Sequence, residues 1–240
     1  TQIDVAGTIA SSTTITTTLP LARVCAGTTA QVRVYMPNGA CADSPAAFVT
    51  WAAPTITSLT VTNGPAFNPV ATSIVGTNFP PAGTPVVLHW SAPQHIFFGG
   101  TPTFEQLATV SVGGLAGAIN NVSPPIATTC STIAVNLSVE FGNPNGAGCV
   151  VAAPQFTYNG PTATLAPGTT VDAIAPAAIA AATLTGANLP SNGTVTVRFV
   201  ATTGTPFEGG TSAAAETVGV VNGAGTGIAI ANVPGMTLCG

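Results

Sequence analysis

The sequence predicts an all-β protein made of tandem antiparallel β-sandwiches, and three observations support this prediction. The chain repeats itself, with matching segments about 110 residues apart. Apolar residues alternate with polar ones at the two-residue period of a strand. Thr, Val and Ile dominate these runs, Pro, Gly and Asn punctuate them, and no segment shows the capped, amphipathic pattern of a helix.

The repeat is clearest around a short glycine and asparagine motif. Residues 73–80 (SIVGTNFP) correspond to residues 183–190 (TLTGANLP), and the same offset relates Gly83 to Gly193. Self-similarity at a fixed spacing indicates tandem copies of one small domain.

A second correspondence relates residues 25–41 to residues 130–149 and contains the clearest strands. Every second residue is apolar in 133–141 and in 32–36, and an Asn-Gly pair follows each run as a turn signal. A unit of about 105–110 residues built from such strands is expected to fold as a sandwich of two antiparallel sheets.

Three short motifs mark the beginning, a turn and the end of each copy. Pro54 opens the first strand, Gly76-Thr77-Asn78-Phe79 follows the second, and Phe156-Thr157-Tyr158 closes the unit. The next copy begins at Gly160-Pro161 and keeps Gly186-Ala187-Asn188-Leu189. In these motifs the chain resembles the IPT/TIG type of immunoglobulin-like domain, which occurs in bacterial surface proteins, in receptor ectodomains and beside the Rel-type DNA-binding domain. The resemblance implies an immunoglobulin-like fold and points to a bacterial or archaeal surface protein.

The repeat also predicts where the domains begin and end. Residues 1–53 match the C-terminal half of one repeat, 54–159 a complete repeat, and 160–240 the N-terminal part of a further repeat. Half a sandwich exposes its core and an open sheet edge. Its missing strands are expected from a longer tandem chain or from a neighbouring copy. We favour the neighbouring copy. A head-to-tail contact of this kind would propagate into a filament.

The composition excludes two classes of partner. Only three basic and seven acidic residues occur among 240, and the basic residues are scattered arginines. A nucleic-acid surface needs clustered cations, so no nucleic-acid partner is expected. No apolar run of about 20 residues is uninterrupted, so no membrane span is expected.

So few charges are unusual for a free monomer, and much of the surface is expected to be covered by other copies or by glycans. The simpler alternative is that Thr, Ser, Asn and Gln supply enough polarity. Asn121, Asn136 and Asn192 each begin an N-glycosylation motif. These features favour an extracellular or cell-surface location.

Five cysteines in such a chain suggest disulfides. Cys130 precedes the strand predicted over 133–141 and Cys149 follows the turn at its far end. That strand would be about 30 Å long, whereas a disulfide requires Cα atoms within about 7 Å. Pairing of neighbours is therefore disfavoured, although an irregular strand would still allow it.

The hypothesis is a disulfide between consecutive domains. Cys25 would pair with Cys149 of the following domain, and Cys130 would pair with the equivalent of Cys41 in the next unit. Cys239 occupies the same place in the repeat as Cys130 and Cys25.

Catalytic chemistry lacks its usual components. No two acidic residues have the close spacing of a carboxylate pair, and no Gly-x-Ser-x-Gly motif occurs. The two histidines, His89 and His95, have no neighbouring carboxylate or cysteine that would complete a metal site. The protein is therefore predicted to be no enzyme and to need no cofactor or metal.

The segment 89–101 is predicted to make intermolecular contacts, through Trp90, His95, Phe97 and Phe98, together with its counterpart around Phe207. The predicted function is a structural subunit of an extracellular filament or surface assembly whose partners are other copies of itself. The alternative is the stalk or binding module of an adhesin that recognises glycan or protein through this segment. A third alternative, an accessory domain of a polysaccharide enzyme, requires a catalytic region elsewhere.

Overall fold

The computed structural model shows an all-β protein. It describes residues 4–19, 26–36, 39, 41–43, 49–97, 99–142, 148–165, 182–201, 204, 213–231 and 233–234. Within these residues every regular element is a β-strand and no helix occurs, which confirms the predicted all-β class.

The first six strands form three separate antiparallel pairs. They are β1 (Gly7–Ser11), β2 (Thr14–Thr17), β3 (Thr28–Ala30), β4 (Arg33–Tyr35), β5 (Cys41–Asp43) and β6 (Val49–Trp51). Strand β1 pairs with β2, β3 with β6 and β4 with β5. None of the described residues between 4 and 51 is buried. An isolated two-stranded ribbon is only marginally stable in water. The described residues of this segment have backbone hydrogen bonds but form no core of their own.

The next nine strands make up the middle unit. They are β7 (Thr55–Leu59), β8 (Asn63–Pro65), β9 (Thr72–Thr77), β10 (Pro85–Ser91), β11 (Thr103–Thr109), β12 (Gly117–Val122), β13 (Ile133–Phe141), β14 (Cys149–Ala152) and β15 (Phe156–Asn159). One sheet has the order β11-β10-β13-β15-β8, with β14 also paired to β13, and the other has the order β12-β9-β7. All neighbours are antiparallel except β8 and β15, which are parallel.

The two sheets of the middle unit share one apolar core. Leu88, Trp90 and Val135 contribute from the larger sheet, and Ile74 and Ile119 from the smaller, all of them fully buried. Two sheets that bury their inner faces against each other give the middle unit a sandwich-like arrangement.

Strand β13 confirms the alternation predicted from the sequence. Its burial switches at every residue from Ile133 to Phe141, with the apolar positions inward. Beside it, Tyr158 is fully buried and its hydroxyl donates a hydrogen bond to the carbonyl of Pro125 over 2.6 Å. Burial raises the pKa of Tyr158 above its ordinary value, so the hydroxyl remains a neutral donor.

The last five strands form one antiparallel sheet, the open unit. They are β16 (Thr162–Leu165), β17 (Ala182–Ala187), β18 (Thr194–Val200), β19 (Ala214–Val221) and β20 (Gly227–Ile230). Their order is β16-β17-β20-β19-β18. A smaller core lies on this sheet, with Leu189, Val221, Ile228 and Ile230 among its buried residues.

The glycine and asparagine motif forms the same corner in both units. A Cβ at Gly76 would lie 1.9 Å from the carbonyl oxygen of Thr55 and 2.6 Å from the ring of Phe79, so only glycine fits. Asn78 follows with φ of 59°, a left-handed conformation that asparagine tolerates. Its side-chain amide donates a hydrogen bond to the carbonyl of Ala53 over 3.0 Å. The motif therefore ties the segment before β7 to the turn after β9.

The next turn corrects one detail of the predicted alignment. In the middle unit a turn from Pro81 to Thr84 has positive φ at Gly83, whereas in the open unit the equivalent turn starts at Pro190 and has positive φ at Asn192. Gly83 thus corresponds to Asn192 rather than to Gly193. The connection in the open unit is one residue shorter, and β18 matches β10 at an offset of 109.

Candidate assembly surfaces

Strand β18 has an open edge where its counterpart β10 has a neighbour. Strand β10 pairs with β11 on one side and with β13 on the other. Strand β18 pairs with β19, and among the residues that the structure describes no strand occupies its second side. An unpaired edge presents a row of N–H and C=O groups that can pair with another chain.

The ladder between β18 and β19 fixes which groups face the open edge. The backbone N–H of Val221 donates a hydrogen bond to the carbonyl of Gly193, and the backbone N–H of Ala201 donates one to the carbonyl of Ala213. Because hydrogen-bonded pairs alternate along an antiparallel ladder, the N–H and C=O groups of Thr196 and Arg198 point away from β19. These two residues offer the backbone groups with which a further strand would pair.

The inner face of β18 is only half covered. Val195, Val197 and Phe199 are half-buried. The equivalent inward residues of β10 are Val86, Leu88 and Trp90, which are at most 1% exposed. The open unit therefore carries an apolar face like that of the middle unit, and the described residues cover only part of it.

The described residues of 28–51, called the hairpin region, have the pairing pattern of strands that find no counterpart among the described residues of the open unit. Thr28 opposes Trp51 as Ile133 opposes Tyr158. Trp51 therefore holds the place in the hairpin region that Tyr158 holds in the middle unit. At the other end of the hairpin region Tyr35 opposes Cys41, whereas in the middle unit Phe141 opposes Cys149.

The hairpin region also has an inner face that is only half covered. Its alternate residues Ala30, Val32, Val34 and Met36 are half-buried, and the residues between them are exposed. The corresponding residues of β13 are fully buried. The hairpin region thus has the alternation of a core strand, and no core covers it among the described residues.

A second corner joins the middle unit to the open unit. The side-chain amide of Asn188 donates a hydrogen bond to the carbonyl of Gly160 over 3.2 Å. This contact repeats the one between Asn78 and Ala53. A Cβ at Gly160 would lie 2.6 Å from the carbonyl carbon of Ser131 and 3.0 Å from the carbonyl oxygen of Cys130. Cys130 therefore lies at the end of the middle unit that faces the open unit.

The described cysteines are not joined to one another. Cys41 and Cys130 are exposed and hold free thiols, and Cys149 is buried. Cys130 and Cys149 flank opposite ends of the extended strand β13, as the sequence predicted. Cys25 and Cys239 lie outside the described residues, so the proposed pair of Cys25 with Cys149 stays a prediction.

Two of the predicted contact residues are core residues instead. Trp90 is fully buried and packs edge-on against Phe156 with ring centroids 6.1 Å apart. Phe97 is 1% exposed and packs against Phe104 and Tyr158. Neither side chain can reach another molecule, because each fills space between the sheets.

The remaining contact candidates divide between surface and undescribed residues. His95 is exposed, and its Nδ1 lies 2.7 Å from the carbonyl oxygen of Gly100. Phe98 and Phe207 lie outside the described residues. Sequence reasoning identified a loop but could not tell which of its aromatic side chains turn inward.

All three glycosylation candidates are exposed. Asn121 and Asn192 have positive φ, and Asn136 lies on the outer face of β13, where its Oδ1 accepts a hydrogen bond from Gln155 over 2.8 Å. A glycan on any of them would project from the surface, so these side chains stay candidates for modification.

Cross-strand contacts of carboxylates with arginine or histidine side chains are a feature that sequence reasoning missed. Arg198 on β18 binds Glu216 on β19 over 2.6 Å, and His89 at the equivalent position on β10 lies 3.3 Å from Glu105 on β11. His89 also lies 3.1 Å from Glu140 on β13. The partners are far apart in sequence, so only the strand register reveals them. No group of three or more metal-ligating side chains occurs among the described residues.

The hairpin region has an ion pair of its own, and it yields a pH prediction. Arg33 donates two hydrogen bonds to the carboxylate of Asp43, which lowers the pKa of Asp43. Because the pKa of Asp43 is lower in the folded chain than in the unfolded chain, the stabilisation of the fold by this ion pair is complete above about pH 4. It is lost as the pH falls through the pKa of the folded state. An NMR titration of the Asp43 carboxyl should therefore give a midpoint below about 3.9, and Arg33→Gln should raise it. A midpoint unaffected by Arg33→Gln would show that the pair does not form in solution.

Similarity to known proteins does not define these surfaces. No protein-family model matches the chain, and no curated protein is significantly similar to it. Among the described residues no helix is long and apolar enough to cross a membrane.

Proposed function

We propose that this protein is a structural subunit of an extracellular filament or surface assembly and that it polymerises head to tail. The hairpin region of one copy would add to the open edge of β18 in the next copy. The observation that carries the proposal is that one side of β18 is unpaired among the described residues, and that the hairpin region resembles the strands that fill this side in the middle unit. Among the described residues, β18 has an open side where β10 has β13. In the hairpin region β3 pairs with β6 as β13 pairs with β15, and β4 pairs with β5 as β13 pairs with β14, although the second ladder is shifted by one residue.

The middle unit supplies the register of the proposed contact. There Val87 opposes Glu140 and His89 opposes Ser138. Transferred to the open unit, this register places Tyr35 opposite Thr196 and Arg33 opposite Arg198. Like charges across a ladder are unfavourable. Here Asp43 already pairs with Arg33 and Glu216 with Arg198, so neither cation enters the contact unpaired.

Burial of two half-exposed faces would drive the association. Full burial of a large aliphatic side chain contributes about 1.5–3 kcal/mol, so a half-exposed one gains about 1 kcal/mol when it is covered. Val195, Val197 and Phe199 on β18 would gain in this way, as would the inward residues of the hairpin region. The sum is several kcal/mol, to which the new backbone hydrogen bonds add, against the entropy of association.

The geometry of this contact favours a filament over a closed dimer. Two different surfaces of the subunit meet, so a bound pair still presents one open edge and one free hairpin region. Heterologous contacts of this kind continue indefinitely unless the rotation between copies closes a ring. Strand addition to a sheet edge is an established mode of protein association.

The IPT/TIG resemblance belongs to the same proposal. The sheet order β7-β9-β12 opposite β8-β15-β13-β10-β11 supports an immunoglobulin-like sandwich for residues 54–159. We propose the same fold for the open unit once the hairpin region of a neighbour has joined it. A surface with so few charges suits a subunit covered by its neighbours and by glycans at exposed asparagines, outside the cell.

The adhesin alternative has less support. It relied on an exposed aromatic segment at 89–101, and two of the aromatic side chains in that segment are buried. We therefore propose a structural role in which the partner is another copy of the chain.

Electron microscopy of the purified full-length protein tests this function. We expect filaments, and we expect a synthetic peptide of residues 26–53 to shorten them by occupying the open edges. A peptide of residues 4–19, which includes the exposed hairpin of β1 and β2, is the matched control and should leave filament length unchanged. Discrete particles of fixed length at all concentrations would contradict the proposal, as would equal effects of the two peptides.

A further inference from the structure

We infer that Cys130 of one copy forms a disulfide with Cys41 of the next copy and so locks the assembly covalently. This inference rests on the proposed head-to-tail contact and adds a covalent bond to it. Both thiols are free and exposed, although the remaining described cysteine, Cys149, is buried. Two accessible thiols that have no partner within the described part of their own chain are available to a neighbouring chain.

The position of Cys130 is fixed by the corner between the two units. Its carbonyl oxygen lies against Gly160, and Gly160 is held by the amide of Asn188. Asn188, with φ of 57°, directly precedes Leu189, which lies in the core of the open unit. Cys130 is therefore beside the Asn188 corner.

The position of Cys41 in the assembly follows from the middle unit. There the turn end of β13 packs into the equivalent corner, with the rings of Phe141 and Phe79 4.9 Å apart. Cys149 opposes Phe141 at this end. In the hairpin region Cys41 opposes Tyr35 at the turn end of β4. A hairpin region bound to β18 in the same way would bring Cys41 to the Asn188 corner.

The two cysteines would thus meet at one corner from two different copies. Within one copy Cys41 lies in the two-stranded ribbon of β4 and β5, whereas Cys130 precedes β13 in the middle unit. The disulfide would connect each copy to the next, so every link of the filament would become covalent. Cys41 faces solvent with Tyr35 rather than the core, which leaves its sulfur accessible to Cys130.

The reaction is an ordinary thiol–disulfide exchange with a small-molecule disulfide as the oxidant. A cysteine thiolate attacks oxidised glutathione, forms a mixed disulfide and releases one glutathione thiolate. The second cysteine then displaces the other glutathione. Two protein thiols lose two protons and two electrons, and one glutathione disulfide becomes two glutathione thiols.

The test uses full-length protein assembled first in reducing buffer and then transferred to oxidised glutathione. Electrophoresis in SDS without reductant should show a ladder of covalent multimers, and peptide mapping should recover Cys41 joined to Cys130. Cys41→Ser and Cys130→Ser should each abolish the ladder, and Cys239→Ser, a matched control, should keep it.

The outcomes separate this inference from the proposed function. Filaments that form in reducing buffer but give no ladder on oxidation would overturn the disulfide and leave the filament proposal standing. A ladder that survives in Cys41→Ser or Cys130→Ser would also overturn it. The absence of filaments in reducing buffer would overturn the proposed function itself, and with it the contact on which the disulfide depends.

Discussion

A chain carrying Thr196→Pro should remain a folded monomer under conditions in which the unaltered protein forms filaments. The N–H of Thr196 points to the open edge of β18 and has no role in the ladder with β19. Proline removes that N–H and places its ring where an incoming strand would pair. We therefore expect filament yield to fall at least tenfold, as measured by sedimentation and electron microscopy.

Two further variants show whether the effect comes from the edge. Thr196→Val keeps the backbone donor and changes only an exposed side chain, so it should assemble normally. Arg198→Pro removes the next donor at the same edge and should behave like Thr196→Pro. Circular dichroism establishes that the proline variants retain their strands. A well-folded Thr196→Pro that polymerises normally would exclude β18 as the assembly edge.

Replacement of Gly76 by alanine should strongly destabilise the middle unit. The added methyl group would overlap the carbonyl oxygen of Thr55 and the ring of Phe79, at 1.9 Å and 2.6 Å. One neighbour is strand backbone and the other is a buried ring, so neither can move without disrupting the sheet or the core. Overpacking usually costs about 1–3 kcal/mol, and a clash with backbone belongs at or above the upper limit. Urea denaturation of the Thr196→Pro monomer provides the measurement.

Gly27→Ala is the matched control for this prediction. A Cβ at Gly27 would meet only the carbonyl oxygen of Trp51, at an ordinary 3.8 Å. This variant should change the free energy of unfolding by less than about 0.5 kcal/mol. Equal stability of Gly76→Ala and Gly27→Ala would show that the corner after β9 is not packed as described.

Features with a local cause could be predicted from the sequence. The alternation in residues 133–141 follows from the pleat of a strand, and it sets the burial of β13. The corner at Gly76 and its repeat at Gly186 could be predicted because the glycine and asparagine motif occurs twice in the sequence. In both corners a Cβ on the glycine would collide with a backbone carbonyl.

Features that depend on register or packing direction could not be predicted in this way. Trp90 and Phe97 were assigned to a contact surface because aromatic residues in a loop suit binding, yet both turn inward. The pair of Arg198 and Glu216 joins residues 18 positions apart and exists only because β18 and β19 align them directly. A turn shorter by one residue was hidden because Gly-Thr occurs in both copies.

A cryo-electron microscopy structure of the assembled protein is the most direct measurement of the central claim. It should show residues 28–36 of a neighbouring copy paired antiparallel with β18, with Tyr35 opposite Thr196. A filament in which that side of β18 faces solvent, or is filled by a strand of the same chain, would contradict the proposed mode of assembly.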